Sequence, residues 1–109
     1  MPWGRAVTRA VDRLAEAGLS LGHPHSSDIK GTKEPLRELR IQSQGRPLRV
    51  FYAFDPKRQA ALLIGGDKTG DDRFYETYIP KAVAIWKRHR AEVQAELDAE
   101  RRKKKEGRR

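Results

Sequence analysis

The chain contains no cysteine, which excludes a disulfide framework and a thiolate zinc site alike. Histidine is nearly as scarce: His23 and His25 flank Pro24, His89 stands apart, and three scattered imidazoles do not argue for a metal. No metal and no other cofactor is expected. No apolar run approaches the roughly 18 to 20 residues that cross a bilayer, and the start, MPWGRAVTRAVDRLAE, lacks the unbroken apolar stretch of a signal peptide. A soluble, cytoplasmic protein without a membrane partner is therefore expected. With 109 residues there is room for one domain, and a chain this short is not expected to enclose a deep pocket.

Positive charge is what the chain has in excess, with a net +9. Its distribution is uneven. The end, RRKKKEGRR, holds seven bases and one acid, a net +6, so the first hundred residues carry only +3. The expected organisation is a single domain over residues 1–100 and a basic, disordered tail over 101–109. Such a terminus serves as an RNA-binding arm, a partner-binding segment or a solubilising end, and composition does not choose among them.

Val7, Ala10, Val11 and Leu14 recur at helical spacing with Arg9, Arg13 and Glu16 turned outward, and Gly18 stands where a helix ends in a left-handed residue. One amphipathic helix over about 5–17 follows. GLSLGHPHSSDIKGTKEP is dense in turn formers and reads as a long surface loop pinned by Leu19, Leu21 and Ile29. In LRELRIQ, Leu39 and Ile41 alternate with Glu38, Arg40 and Gln42, which marks a half-buried strand ending at Gln44-Gly45. LRVFYAF is apolar on both faces, with Leu48, Val50, Tyr52 and Phe54 on one and Arg49, Phe51 and Ala53 on the other, so it should be central. Asp55-Pro56-Lys57-Arg58 is a turn, and AALLIGG returns as a short strand; loops this short require antiparallel pairing. Pro80 suits the first turn of a second helix that keeps Val83, Trp86, Val93 and Leu97 near one stripe, interrupted by Arg90. Past Leu97 that helix has little left to bury and should fray. Phe51, Tyr52, Phe54 and Trp86 read as core, and Trp3 has no evident place. The fold class is α+β, a small antiparallel sheet with a helix before it and a long helix after it.

Gly65-Gly66-Asp67-Lys68-Thr69-Gly70 invites a phosphate-loop reading, which its spacing refutes. A Walker A loop needs glycine immediately before the lysine and another five residues before that, where this chain has Asp67 and Leu62. Glycines that let a strand end explain Gly65, Gly66 and Gly70 without a ligand, but they leave Lys68 without a role. Arg49, Arg58, Lys68, Arg73 and Tyr75 could instead converge at one end or face of the sheet. Arginine pairs with phosphate through two parallel bonds, and tyrosine offers a stacking surface for an unpaired base. Asp71 and Asp72 read as starting a helical turn over Arg73 to Tyr78 rather than as metal ligands.

The segment RVFYAFDPKRQAALLIGGDKTGDDRFYETYI, from Arg49 to Ile79, resembles the core of the RelE/ParE superfamily of toxin-antitoxin toxins. It is most similar to the HigB-like, phage-derived branch, whose members carry an arginine-led strand, an FDP turn and a GGDK(S/T)G turn. That resemblance implies a metal-independent mRNA endonuclease acting on translated mRNA at the ribosome. It also implies a helix-turn-helix antitoxin as partner, with operator DNA reached only through that antitoxin. Cleaving RNA through its own 2′-hydroxyl requires proton transfer and positive charge on the pentavalent phosphate. With no histidine in the segment, lysine or tyrosine would have to move protons, and arginines crowded around Lys68 would lower its pKa. The expected catalytic residues are Lys68 for proton transfer, Arg49 and Arg73 for phosphate charge, and Tyr75 for base stacking or proton transfer. Lys57, Arg58, Arg101, Arg102, Lys103, Lys104 and Lys105 are the expected RNA-binding residues. Two readings compete: a ParE-like DNA gyrase poison, and a non-catalytic RNA- or ribosome-binding module. Members of the superfamily usually open with a strand, whereas the first element here is a helix, which would leave a sheet edge for a partner to cover.

Overall fold

A computed structural model describes residues 4–107. Helix α1 (Gly4–Ala17) is followed by a 3-10 turn (Gly18–Ser20), strands β1 (Ser26–Asp28), β2 (Arg37–Ser43), β3 (Arg46–Phe54) and β4 (Ala60–Asp67), and helix α2 (Phe74–Glu106). The sheet is antiparallel throughout in the order β1-β2-β3-β4. The expected α+β class and antiparallel sheet are borne out. So is the Gln44-Gly45 turn: both residues have positive φ, 51° and 76°, which suits the twist of a two-residue hairpin, and Ser43 faces Arg46 across it.

Each face of the sheet carries its own core. On one, Ala10 and Leu14 of α1 pack with Leu39, Ile41, Leu48 and Tyr52. On the other, Phe74, Ala82 and Trp86 of α2 pack with Leu36, Phe51 and Ala53. The alternation read along β3 therefore separates the two layers as expected.

Four features differ from the sequence reading. The long loop contains β1, whose residues Ser26, Ser27 and Asp28 have poor strand propensity. Polar tertiary contacts hold it: Ser26 Oγ lies 2.5 Å from Tyr52 OH and accepts from Arg37 Nε at 3.2 Å, and Asp28 pairs with Arg37. β1 covers the outer edge of β2 from Arg37 to Leu39 and leaves β4 as the longer open edge. Leu21 and Ile29 pin the loop as expected, but Leu19 is 73% exposed. The second helix begins at Phe74, which puts Pro80 inside it. The early start follows from Phe74, Tyr78, Ala82 and Trp86, four residues apart, laying one stripe on the sheet and outweighing the hydrogen bond that Pro80 cannot donate. Finally, α2 does not fray past Leu97 but continues to Glu106. Its last turns are rich in good helix formers, and Lys103, Lys104 and Lys105 complement the helix dipole there. Arg90, which breaks the apolar stripe, is accommodated by donating to Glu34 at 3.2 Å and lying 5.8 Å from the centre of the Trp86 ring. Trp3 lies outside the described residues.

Asp55 ties the β3–β4 turn to α2. Its Oδ1 accepts from the backbone N–H of Lys57 at 2.9 Å and Gln59 at 3.1 Å, and its Oδ2 lies 2.9 Å from His89 Nε2. Burial pushes this carboxyl up, but the hydrogen bonds from His89, Gln59 and Lys57 outweigh burial and hold its pKa below 3.8. A depressed folded value means that this stabilisation is complete above the unfolded value and is lost as pH falls through the folded one. Asp55→Asn is expected to lower stability by about 1–3 kcal/mol at neutral pH. Urea midpoints should fall less steeply below about pH 4 in the variant than in the parent.

Candidate functional site

The hairpin register builds the site. With Ser43 opposite Arg46, Arg40 falls opposite Arg49 and Glu38 opposite Phe51, all on the α2 side of the sheet. Glu38 is the hub. Its side chain is only 4% exposed, yet its Oε1 accepts from Tyr75 OH at 3.1 Å, Arg40 Nη1 at 3.1 Å and Ser27 Oγ at 3.2 Å. Arg49 Nε stands 3.8 Å from the same oxygen, close enough for an ion pair but too far for a hydrogen bond, while its Nη1 donates to Leu48 O at 2.9 Å. Glu38 Oε2 and Arg49 Nε are buried without a hydrogen-bond partner.

Tyr75 comes from the first turn of α2 and is oriented at both ends. Its ring runs parallel to Phe51, 6.2 Å between centroids, and its hydroxyl donates to Glu38. Lys68 Nζ lies 5.0 Å from the ring centroid. Burial raises the Tyr75 pKa above 10, as does its bond to the Glu38 carboxylate, against a smaller lowering by Arg49. The phenol is therefore a proton-bearing donor, not a phenolate.

Gly65 and Gly66 do not end the strand as expected but lie inside β4, which runs on to Asp67, and Gly66 acts as a spacer. Gly66 pairs with Arg49, and a Cβ there would fall 2.7 Å from Cζ and the hydroxyl of Tyr78, whose ring stacks on Phe74 at 4.4 Å. The absent side chain lets Tyr78 rest on the strand and so seats the first turns of α2. Asp67 fastens the following turn, with Oδ1 accepting from Thr69 N at 2.8 Å and Thr69 Oγ1 at 2.6 Å, and Oδ2 accepting from Arg46 at 3.1 Å. Lys68 N then donates to Pro47 O at 2.8 Å, which fixes the lysine beside the β2–β3 hairpin.

Arg49, Lys68 and Tyr75 thus come together as expected. Arg73 sits two residues before Tyr75 at the N-cap of α2, exposed, its backbone N–H bonded to Asp71 Oδ1 at 3.0 Å. Asp71 therefore shapes the turn just ahead of the helix and does not itself cap it. Arg58 does not converge with the others, because the β3–β4 turn lies at the opposite end of the strands from Lys68, roughly 20 Å away at 3.3 Å per residue. Lys57 is there too, paired with Glu96 at 2.7 Å. Arg101 to Lys105 project from the far end of α2, about 39 to 45 Å from Tyr75 along the helix axis at 1.5 Å per residue. Sequence reasoning gives no role to Glu38 or Arg40. The signal is nonetheless there, because a two-residue turn at Gln44-Gly45 fixes the register that sets both beside Arg49.

Residues 3–87 match the family described as phage derived protein Gp49-like, and the chain belongs to that family. Over 104 residues, 93% of this chain and 51% of the relative, it is 36% identical to a Mycobacterium tuberculosis protein named "Putative toxin HigB2". Over 79 residues, 71% of this chain and 68% of the relative, it is 43% identical to "Putative toxin HigB3" of the same organism. The chain spans about half the length of the first and about two-thirds of the second. No solved structure matches it. The HigB-like, phage-derived resemblance carried by Arg49 to Tyr75 is borne out.

Proposed function

We propose that the chain is the toxin of a toxin-antitoxin pair and cleaves translated mRNA at the ribosome without a metal. The observation that carries this reading is the convergence of Tyr75 and Arg49 on a buried carboxylate, Glu38, with Lys68 lying over the Tyr75 ring. Glu38 is too enclosed to meet RNA itself, so it acts through Tyr75. As the 2′-hydroxyl gives its proton to the Tyr75 oxygen, Tyr75 passes its own proton to Glu38 Oε1, and no free phenolate forms. The 2′-oxygen attacks phosphorus while Arg49 and Arg73 balance the charge of the pentavalent state. The P–O5′ bond breaks as the Lys68 ammonium protonates the departing oxygen. The products are a 2′,3′-cyclic phosphate and a 5′-hydroxyl. The pinning of the Tyr75 ring favours this proton-transfer role over base stacking.

Expression without an antitoxin is expected to arrest growth, with new RNA 5′ ends mapping inside open reading frames. Intact mRNA with accumulating double-strand DNA breaks would instead support gyrase poisoning. A neighbouring reading frame for a small helix-turn-helix protein is the expected source of the antitoxin.

The basic end of α2 is assigned to delivery rather than chemistry, since it lies far from the cluster and holds no group suited to proton transfer at neutral pH. Deleting residues 101–109 should flatten the salt dependence of ribosome binding by about 0.7 to 0.9 log units for each phosphate that is no longer neutralised. An unchanged slope in sedimentation assays would assign the tail to solubility alone.

A further inference from the structure

A second cationic feature lies next to the cluster. Between α1 and the part of β2 that β1 leaves uncovered runs an open cleft of about 500 Å3, lined by Arg9, Arg13, His25, Arg40, Gln42 and Arg49 among others. No carboxylate lines it among the described residues. Arg40 and Arg49 belong to the Glu38 cluster as well, so cleft and cluster are continuous. Arg9 and Arg13 differ from them in being exposed and having no ion pair among the described residues. They stand one helical turn apart, an arrangement that repels and gains when an anion lies between or along them. Their separation, about 6 Å along the axis, is comparable to one nucleotide step in an extended single strand.

We propose that this cleft seats the backbone phosphates of single-stranded RNA next to the scissile one, with Arg9 and Arg13 as the contacting groups. The inference rests on the nuclease reading for its choice of ligand. Guanidinium suits phosphate because it offers parallel donors in a fixed plane. Arg49, which lines the cleft and ion-pairs with Glu38, marks where cleft and cluster meet. An acidic protein segment would find the same charges, but continuity with the proposed scissile-phosphate site favours RNA.

The test measures binding of a short 2′-O-methyl oligoribonucleotide, which cannot be cut through its 2′-oxygen, by fluorescence anisotropy across a salt series. Arg9→Ala with Arg13→Ala is expected to reduce the slope of log affinity against log salt by about 1.4, at roughly 0.7 for each single-strand phosphate. Arg9→Lys with Arg13→Lys should restore most of it. Lys33→Ala with Arg88→Ala removes two exposed charges elsewhere and should leave the slope in place. An unchanged slope in the first pair overturns the proposal, as does an equal fall in the control pair, which would mean bulk charge only. Loss of poly-L-glutamate binding in the first pair with RNA binding intact would assign the cleft to an acidic protein segment and overturn it too. RNA cleavage by the parent chain alongside an unchanged slope removes the cleft but not the nuclease reading. RNA held through Arg9 and Arg13 but never cut does the reverse.

Discussion

Lys68→Ala is expected to lower the rate of RNA cleavage by about 10² to 10³-fold, the usual loss when a single group that meets developing charge is removed. Stability should hardly change. The side chain is half-buried, and it lies against the Tyr75 ring, an interaction of about 0.5–1 kcal/mol at an exposed site. Lys68→Arg separates two contributions, because arginine keeps the charge but does not release a proton at neutral pH. If Lys68 protonates the leaving oxygen, the arginine variant should be nearly as slow as alanine; substantial rescue would reduce Lys68 to a phosphate counter-charge. Arg73→Ala should also relieve toxicity, but by less, since no other side chain holds Arg73 in place among the described residues. Growth after induction and single-turnover cleavage report both effects.

The second large effect concerns the buried pair. Arg49→Ala should abolish cleavage and also destabilise the fold by about 3 kcal/mol, because removing one member of a buried ion pair leaves the other charged and undercompensated. The 3.8 Å separation and the remaining donors from Arg40, Ser27 and Tyr75 argue for the lower end of that effect. Glu38→Leu with Arg49→Met should recover most of the stability, since apolar groups of similar volume replace buried pairs at little cost, while activity stays absent. Glu38→Gln preserves an acceptor for Tyr75 and Arg40 yet cannot take up a proton. It should remain folded and still lose about 10² to 10⁴-fold in rate. Urea denaturation and cleavage measured together distinguish lost chemistry from lost fold.

The parts of this molecule legible in the sequence are those set by local pattern. The spacing of Val7, Ala10, Val11 and Leu14 defines α1, and the alternation in LRVFYAF separates the two cores. The Gln44-Gly45 turn fixes the central hairpin. The illegible parts depend on tertiary contacts. β1 is two serines and an aspartate held by Tyr52 and Arg37, side chains that its own sequence does not announce. Glu38 looks like an outward residue of a half-buried strand until α2 closes over that face, and then it is 3% exposed. Lys68 and Tyr75 are picked out in the sequence by their place in the segment that resembles the toxin family. The carboxylate to which Tyr75 is bonded is not, because it is an ordinary residue type in an ordinary alternation. Arg58 falls outside the cluster for a related reason: nearness in sequence to a strand end says nothing about which end of the sheet a turn occupies.

If the Lys68, Tyr75, Arg49 and Glu38 cluster cuts RNA through its own 2′-hydroxyl, removing that one hydroxyl must stop the reaction. The decisive measurement uses ribosome-bound mRNA carrying a single 2′-deoxy substitution at the mapped cleavage position, incubated with the purified chain after the sites have been located on the unsubstituted message. Cleavage is expected to stop at that position alone, and the unsubstituted message to yield a 2′,3′-cyclic phosphate. Equal cleavage of the deoxy-substituted message, or products ending in a 3′-hydroxyl, would contradict this mechanism.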